Sequence, residues 1–319
     1  METLYTGRLH GFPNLTSGYY PVPEEGVLSL IVVLATSVSL VALVFAFITY
    51  SLFSDLRNLM GTTLMTLLAT TFMAQLIYVV GVGGVHDREL CLSISFSLQY
   101  LHLSLILWMG LLCRDTLISV QRGCEDGPRT DRLWCRFAVS SLISWSLPGL
   151  AVLAAYGATD TSHLQPMYKV NCWFVCRPVY LLTYGFPAMV VLCTCVCLLI
   201  RAKIRLTYML SLETRQKLRS RAAKSKGLEV GLCSRLTCLL FSLELSAVLY
   251  AATGAKPFWL IYNLLHSIQG LIMALCATCN SQVLSVYTRR HRRRRSTTKL
   301  LSKTSSLEDL DWTPLPSTI

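Results

Sequence analysis

The chain is 319 residues long, 53% apolar and only 14% charged, with a mean hydropathy of +0.51 and a formal net charge of +12. A soluble domain carries about a quarter charged residues, so lipid is the solvent to which these side chains are fitted. The composition excludes disordered and collagenous chains, and the excess positive charge lacks the water-facing surface of a nucleic-acid-binding domain.

Residues 1–25 read as a short extracellular segment with no basic stretch before an apolar core, unlike a cleaved signal peptide. Asn14-Leu15-Thr16 is a glycosylation sequon with Asn14 as its acceptor. Seven apolar stretches follow, at 26–53, 59–82, 91–120, 133–156, 178–200, 231–253 and 258–287. Each is long enough to cross a hydrocarbon core of about 30 Å as a helix. The stretches are continuous rather than alternating, which argues against barrel strands. The sequence therefore predicts an all-α membrane protein, a seven-transmembrane helix bundle over 26–287 with a cytoplasmic basic and Ser/Thr-rich tail over 288–319.

Orientation follows from lysine and arginine. All but Arg8, Arg88, Lys169, Arg177 and Lys256 of the 29 basic residues fall on one side of the seven spans. Basic loops stay in the cytoplasm, which puts the carboxyl terminus inside and the amino terminus outside. No internal repeat is visible, which counts against a transporter built from inverted halves.

Polar residues inside the spans are the candidates for function, because hydrocarbon tolerates them only when they turn into the bundle. The third span carries Ser95, Gln99 and His102 on one face, and the seventh carries Asn263, His266, Ser267 and Gly270. Gln99, His102, Asn263 and His266 form the candidate ligand pocket, and Gln269 reads as interhelical glue. Glu244 is the one carboxylate deep in a span, costing about 2.5–3.5 kcal/mol on insertion scales if ionised and unpaired. It is expected to be paired or protonated, with His266 as a possible partner. Pro148 and Pro187 interrupt the fourth and fifth spans and free backbone carbonyls there.

Three cysteines fall on the outer side, where disulfides form. Cys91 with Cys172 would tie the long outer loop over the bundle mouth; Cys91 with Cys176 is the alternative. The other ten, such as Cys193, Cys195 and Cys197, read as packing residues. The seventh span has no lysine for a retinal Schiff base, and no catalytic set, metal cluster or phosphate-binding glycine loop is present. Neither an enzyme nor a cofactor is expected.

Local patterns then point to a family. The seventh span reads Gln269-Gly270-Leu271-Ile272, then Cys276, Asn280 and Val283, which resembles the Q-G…C-x-x-N-x-x-V ending of secretin- and adhesion-class G-protein-coupled receptors. Trp108, Cys113 and Asp115 resemble the W-x-x-x-x-C-x-D stretch of Methuselah-like receptors. Ser141, Trp145 and Pro148 resemble that group's S-x-x-x-W-x-x-P. Tyr184-Gly185-Phe186-Pro187 is similar to its Y-G-P with one residue inserted. Leu56-Arg57-Asn58-Leu59 and Gly61 resemble the first inner loop, and Cys172-Trp173 the outer-loop pair.

The resemblance covers roughly 26–290, with three departures. About 25 residues precede the first span, where the family carries a large disulfide-bonded ectodomain. The sixth span has Phe241 and Glu244 where the family tends to have glycine and then tryptophan, which leaves ordinary helix-six activation open. The Asp-Arg-Tyr motif of rhodopsin-class receptors is absent, with Arg114-Asp115 in reverse order.

The resemblance implies a plasma-membrane receptor that passes a signal from an unknown extracellular ligand (peptide, protein or small molecule) to a heterotrimeric G protein. Arg57, Arg201, Lys203, Arg205, Lys217 and Arg219 are the basic residues expected to face it. Arg289, Arg290, Arg292, Arg293, Arg294 and Arg295 follow the last span and should attract anionic inner-leaflet lipid at about 1 kcal/mol each. The serines and threonines after them are candidate phosphorylation sites for an arrestin-like partner. The alternatives are a truncated or silent receptor acting through another receptor and, behind it, a seven-helix channel or transporter.

Overall fold

The computed structural model describes residues 23–53, 59–82, 88–122, 130–158, 177–212 and 217–278. The described residues are helical throughout apart from Phe53, Gly254 and Ala255. Helices α1 (Pro23–Leu52), α2 (Leu59–Val82), α3 (Arg88–Arg122) and α4 (Thr130–Ala158) come first. The fifth helix, α5, runs as Arg177–Tyr180, a π turn over Leu181–Gly185, and Phe186–Leu212. Then follow α6 (Lys217–Thr253) and α7 (Lys256–Thr278). Among the described residues seven helices are long and apolar enough to cross a membrane, so the chain is a multi-pass helical bundle.

The sequence explains the local features. Six polar side chains of α2, five threonines and Gln75, would cost free energy in lipid unless bonded. Four of them, Thr63, Thr66, Thr70 and Thr71, turn their hydroxyls onto the carbonyl one turn back. Pro187 lacks an N–H and its ring crowds the carbonyl four residues earlier. The helix accommodates it with the π turn just upstream, where the Phe186 N–H reaches back to Leu181 O. Gly254 ends α6 at φ 71°, a conformation that glycine adopts without a Cβ clash, and its N–H caps Tyr250 O at 2.8 Å.

Central α3 packs on α2, α4, α5 and α6, while α7 packs on α1, α2 and α6. The main core runs through Leu43, Leu67, Leu98, Ile106, Trp108, Leu240 and Met273. Apolar side chains on the outer faces of α1 and α4, such as Val41, Leu142 and Leu153, are exposed, as lipid-facing residues should be.

Against the sequence reading, span 59–82 coincides with α2, and the first, third and fourth differ by a turn or less at each end; the seventh begins two residues early, and its expected end at 287 lies outside the described residues. The connection over 201–230, between the fifth and sixth spans, is mostly helix. α5 continues to Leu212 and α6 already begins at Lys217. The cause is that lysine, arginine and leucine are good helix formers, and charge ends a membrane span without ending a helix.

Candidate functional site

The bundle has a basic end, where α5 leaves and α6 begins, and an opposite end, where α6 meets α7. In the half near the opposite end, polar and aromatic side chains from α2, α3, α5, α6 and α7 meet. His102 and His266 are buried, 1% and 0% exposed, with their Nε2 atoms 3.2 Å apart. Tyr78 stacks on His266 with ring centroids 3.9 Å apart, and its hydroxyl donates to Asn263 Oδ1. Asn263 Nδ2 donates to Trp259 O at 3.0 Å. Gln99 is buried on the face of α3 that holds His102.

The histidine protons can be assigned by following the hydrogen bonds. His102 Nδ1 stands 2.9 Å from the Leu98 carbonyl, which only accepts, so Nδ1 carries the proton. In a neutral ring, His102 Nε2 is then a lone pair, and His266 Nε2 must donate to it. His266 Nδ1 is left as an acceptor, buried and without a hydrogen-bond partner among the described residues.

Glu244 supplies a second incomplete group. Its Oε1 accepts from Tyr184 OH at 2.6 Å, and its Oε2 is buried with no partner among the described residues. His266, the partner considered from sequence, is engaged by His102 instead. Tyr184 takes its place because the π turn sits directly beneath it, and its position on α5 could not be read from a helical repeat of 3.6. Tyr180, 5.0 Å from Tyr184 between ring centroids, extends the cluster, and Tyr262 lies 5.7 Å from His266. Tyr180 and Tyr262 were not singled out from sequence; the signal available was aromatic residues near polar groups on the same helices.

A separate knot binds α1, α2 and α7. Ser39 Oγ donates to Gln75 Oε1 at 2.9 Å and accepts from the Leu271 N–H at 2.9 Å, while Gln75 Nε2 donates to His266 O at 2.8 Å. Gly270 makes this possible: a Cβ there would lie 2.5 Å from Gln75 Oε1, Leu43 Cδ1 and Ser39 Oγ. Gln269, expected as interhelical glue, instead points to Met273 Sδ at 4.0 Å within its own helix. The amide that crosses helices is Gln75.

Toward the basic end, α3 and α6 touch through small polar contacts. Thr116 donates its hydroxyl proton to Leu112 O at 2.8 Å, so the Cys233 thiol must be the donor in their 3.2 Å contact. Cys113 and Thr237 form a second rung at 3.5 Å. Below them Leu117, Val120, Ala202 and Val230 close α3, α5 and α6 with an aliphatic plug. Lys226 Nζ then donates to Ser119 O at 2.6 Å. Arg201, Lys203 and Arg205 are exposed on the α5 extension.

A family model described as 7 transmembrane receptor (Secretin family) matches residues 25–273. The chain belongs to the secretin family of seven-transmembrane receptors. It is similar to human (Homo sapiens) adhesion G protein-coupled receptor E3, 25% identical over 267 residues that make up 81% of this chain and 39% of that protein. It is also similar to mouse (Mus musculus) adhesion G protein-coupled receptor A1, 29% identical over 182 residues, 52% of this chain and 30% of the relative. With human cadherin EGF LAG seven-pass G-type receptor 1 it shares 24% identity over 162 residues, 50% of this chain and 5% of that protein. The chain thus spans well under half the length of these relatives.

Within this secretin-family receptor the signature residues sit as follows. Trp108 and Trp145 are 6.3 Å apart between ring centroids, and Pro148 is buried on the same helix as Trp145. Asp115 is 3.4 Å from Arg114, which also reaches Ser140 at 3.4 Å. Pro187 follows the π turn. Cys91 is buried and disulfide-bonded; Cys172, its expected partner, lies outside the described residues, as do Asn14, Arg57, Asn280 and Arg289 to Arg295. Lys217 and Arg219 lie on α6, and their side chains are outside the description. Cys195 packs in the core as expected, whereas Cys193 and Cys197 are exposed on the outer face of α5.

Proposed function

We propose that the chain is a plasma-membrane receptor that signals to a heterotrimeric G protein, with its amino terminus outside and its basic end in the cytoplasm. The observation that supports this most is the pairing of α5 and α6 at the basic end. They run on past the apolar spans, present Arg201, Lys203 and Arg205 to solvent, and are closed on α3 by aliphatic packing, two weak sulfur–hydroxyl contacts and the Lys226 bond. A G protein that binds better when α6 leaves α3 would shift the bundle to that arrangement.

At the opposite end, the extracellular ligand is read by Gln99, His102, Asn263 and His266 together with Tyr184 and Glu244. His266 Nδ1 and Glu244 Oε2 are the atoms a ligand or a rearranged neighbour can complete. Differential bonding there is what a two-state receptor needs, since a ligand binding both states equally shifts nothing. Within the secretin/adhesion class the motif set of α3 and α4 is most similar to the Methuselah-like group. The Cys91–Cys172 bond holds the outer loop over this pocket, Asn14 carries glycan, and the arginines from Arg289 to Arg295 hold the tail to anionic lipid. Arrestin reads the phosphorylated tail, and a second receptor pairs with the chain if it is silent alone.

The test is G-protein activation in cells displaying the amino terminus at their surface. Neutralising Arg201, Lys203 and Arg205 should abolish signal at unchanged surface level. Surface display with no activation of any G-protein class would overturn autonomous signalling.

A further inference from the structure

Glu244 differs from its polar neighbours in the kind of charge it can carry. It is the only buried carboxylate among the described residues, 1% exposed, and it precedes Thr253, the last residue of α6, by nine residues. At roughly 1.5 Å per residue it lies about 14 Å below the end of the bundle where α6 meets α7. Tyr184 satisfies Oε1 at 2.6 Å, and Oε2 is buried with no partner among the described residues. The π turn over Leu181–Gly185 brings Tyr184 to this carboxyl, and Gly185 lets α6 come close: a Cβ there would stand 3.3 Å from Val248 Cγ2. A π turn has poorer hydrogen-bond geometry than the helix around it, and such turns concentrate at functional sites.

The surroundings of the carboxyl are aromatic. Tyr180 on α5 lies 5.0 Å from Tyr184 between ring centroids. Tyr262 on α7 is close enough to Glu244 and Tyr180 to interact with both electrostatically. Trp259 packs on Tyr262 at 5.9 Å and on Tyr250 at 5.3 Å, so a file of rings leads from the end of α6 toward the carboxyl. On the face of α6 that carries Glu244, the residues three and seven positions further on are Ala247 and Ala251, both buried and small.

These facts restrict what can complete the site. An ionised carboxylate is costly in a membrane core unless an opposite charge accompanies it. Among the described residues no lysine or arginine is buried, so that charge has to come from outside the chain. The faces of the rings attract cations. A second bare acceptor, His266 Nδ1, lies one turn beyond Tyr262 on α7. A neutral hydroxyl would supply a donor without the charge, and an anion would meet the carboxylate. A protonated amine answers both demands with several N–H donors and a positive charge. The rings on one side and the alanines on the other suit a flat apolar body attached to that amine.

We propose that the pocket binds a small organic cation, a protonated arylalkylamine, whose ammonium donates to Glu244 Oε2 against the ring faces of Tyr180, Tyr184 and Tyr262 and whose aryl group lies toward Trp259. This rests on the receptor reading above and names the class of its ligand. Entry requires Tyr250 and Trp259, both half-buried, to swing aside. The bound ammonium then draws α5, α6 and α7 around a single charge.

The experiment places the full chain in phosphatidylcholine nanodiscs and follows 4-fluorophenethylamine by ¹⁹F NMR, with empty nanodiscs as the control for partition into lipid. The chain should broaden the fluorine line saturably, and unlabelled phenethylamine should compete. The same body without the charge, 2-phenylethanol, should compete about tenfold less well, the difference between a charged and a neutral hydrogen bond. Glu244→Gln keeps the size of the side chain and an acceptor for Tyr184, and it should lose about tenfold in amine binding while its binding of the alcohol holds. Tyr262→Leu should weaken the amine about threefold, and Tyr262→Phe, which keeps the ring face, should not. No broadening beyond that of empty nanodiscs, equal competition by the alcohol, or a folded Glu244→Gln chain that binds the amine as before would overturn the proposal. The comparison of amine with alcohol uses the unaltered chain, so it decides the matter even where a variant misfolds. None of these readouts depends on G-protein signalling, so the ligand class and the receptor reading can fail separately.

Discussion

The two halves of this bundle are held by different physics. Near the opposite end, five helices share directional bonds: His102 to His266, Tyr78 to Asn263, Tyr184 to Glu244 and Gln75 to the α7 backbone. At the basic end, α3, α5 and α6 meet through Leu117, Val120, Ala202 and Val230, with Lys226 alone bonding α6 to an α3 carbonyl there among the bonds described. Lipid tails are as apolar as leucine, so aliphatic contact between membrane helices has no hydrophobic drive behind it. Separating the basic ends costs packing, the Lys226 bond and the weak Thr116–Cys233 and Cys113–Thr237 contacts. The polar half has discrete bonded arrangements, and the aliphatic half is easily parted, which is a division of labour suited to reading at one end and opening at the other.

The comparison breaks most severely at Gly270, the hinge of the polar half. Gly270→Ala brings a Cβ against Ser39, Gln75 and Leu43. Thermal unfolding in nanodiscs should show a loss of about 1–3 kcal/mol, the usual cost of overpacking, and Gly270→Leu should fail to reach the cell surface. Next comes the α5–α6 bond. Tyr184→Phe removes the donor at Glu244 Oε1 and leaves a buried carboxyl incomplete at both oxygens, a loss of about 1–3 kcal/mol. Glu244→Leu removes both demands and should be better tolerated than Tyr184→Phe in the same unfolding assay.

A smaller effect sharpens the histidine assignment. A double-mutant cycle of His102→Ala and His266→Ala should give a coupling of about 0.6 kcal/mol and no more than about 1.7, as for other hydrogen bonds between membrane helices. Additive losses would remove the bond from the account. The smallest stability effect belongs to Lys226→Ala, within about ±0.5 kcal/mol for a surface position. Its consequence should be functional: basal G-protein activation should rise because one bond fewer holds α6 to α3. Basal activity that stays flat while surface level is unchanged would separate that bond from gating.

Much of this was legible in the sequence because the bilayer imposes it. Span number follows from apolar length, and the buried faces of α3 and α7 follow from polar spacing, so His102, Asn263, His266 and Gly270 are inside as read. Pairing across helices was not legible. Glu244 finds Tyr184 because a π turn shifts the register of α5, and no periodic reading of Leu181 to Gly185 contains that shift. Gln75 was passed over for Gln269, since which of two buried amides crosses to a neighbour depends on the close approach at Gly270. Where α5 ends and α6 begins within the basic stretch after Arg201 was not legible, because hydropathy marks where a span ends and says nothing of where a helix ends.

The central claim is that opening at the basic end is read by a G protein. We would measure G-protein activation across all classes in cells displaying the chain, comparing it with a variant carrying Arg201→Gln, Lys203→Gln and Arg205→Gln at matched surface level. The account predicts a basal or ligand-evoked signal that the variant loses. Equal signal from both chains, or surface display with no activation of any class, would contradict it.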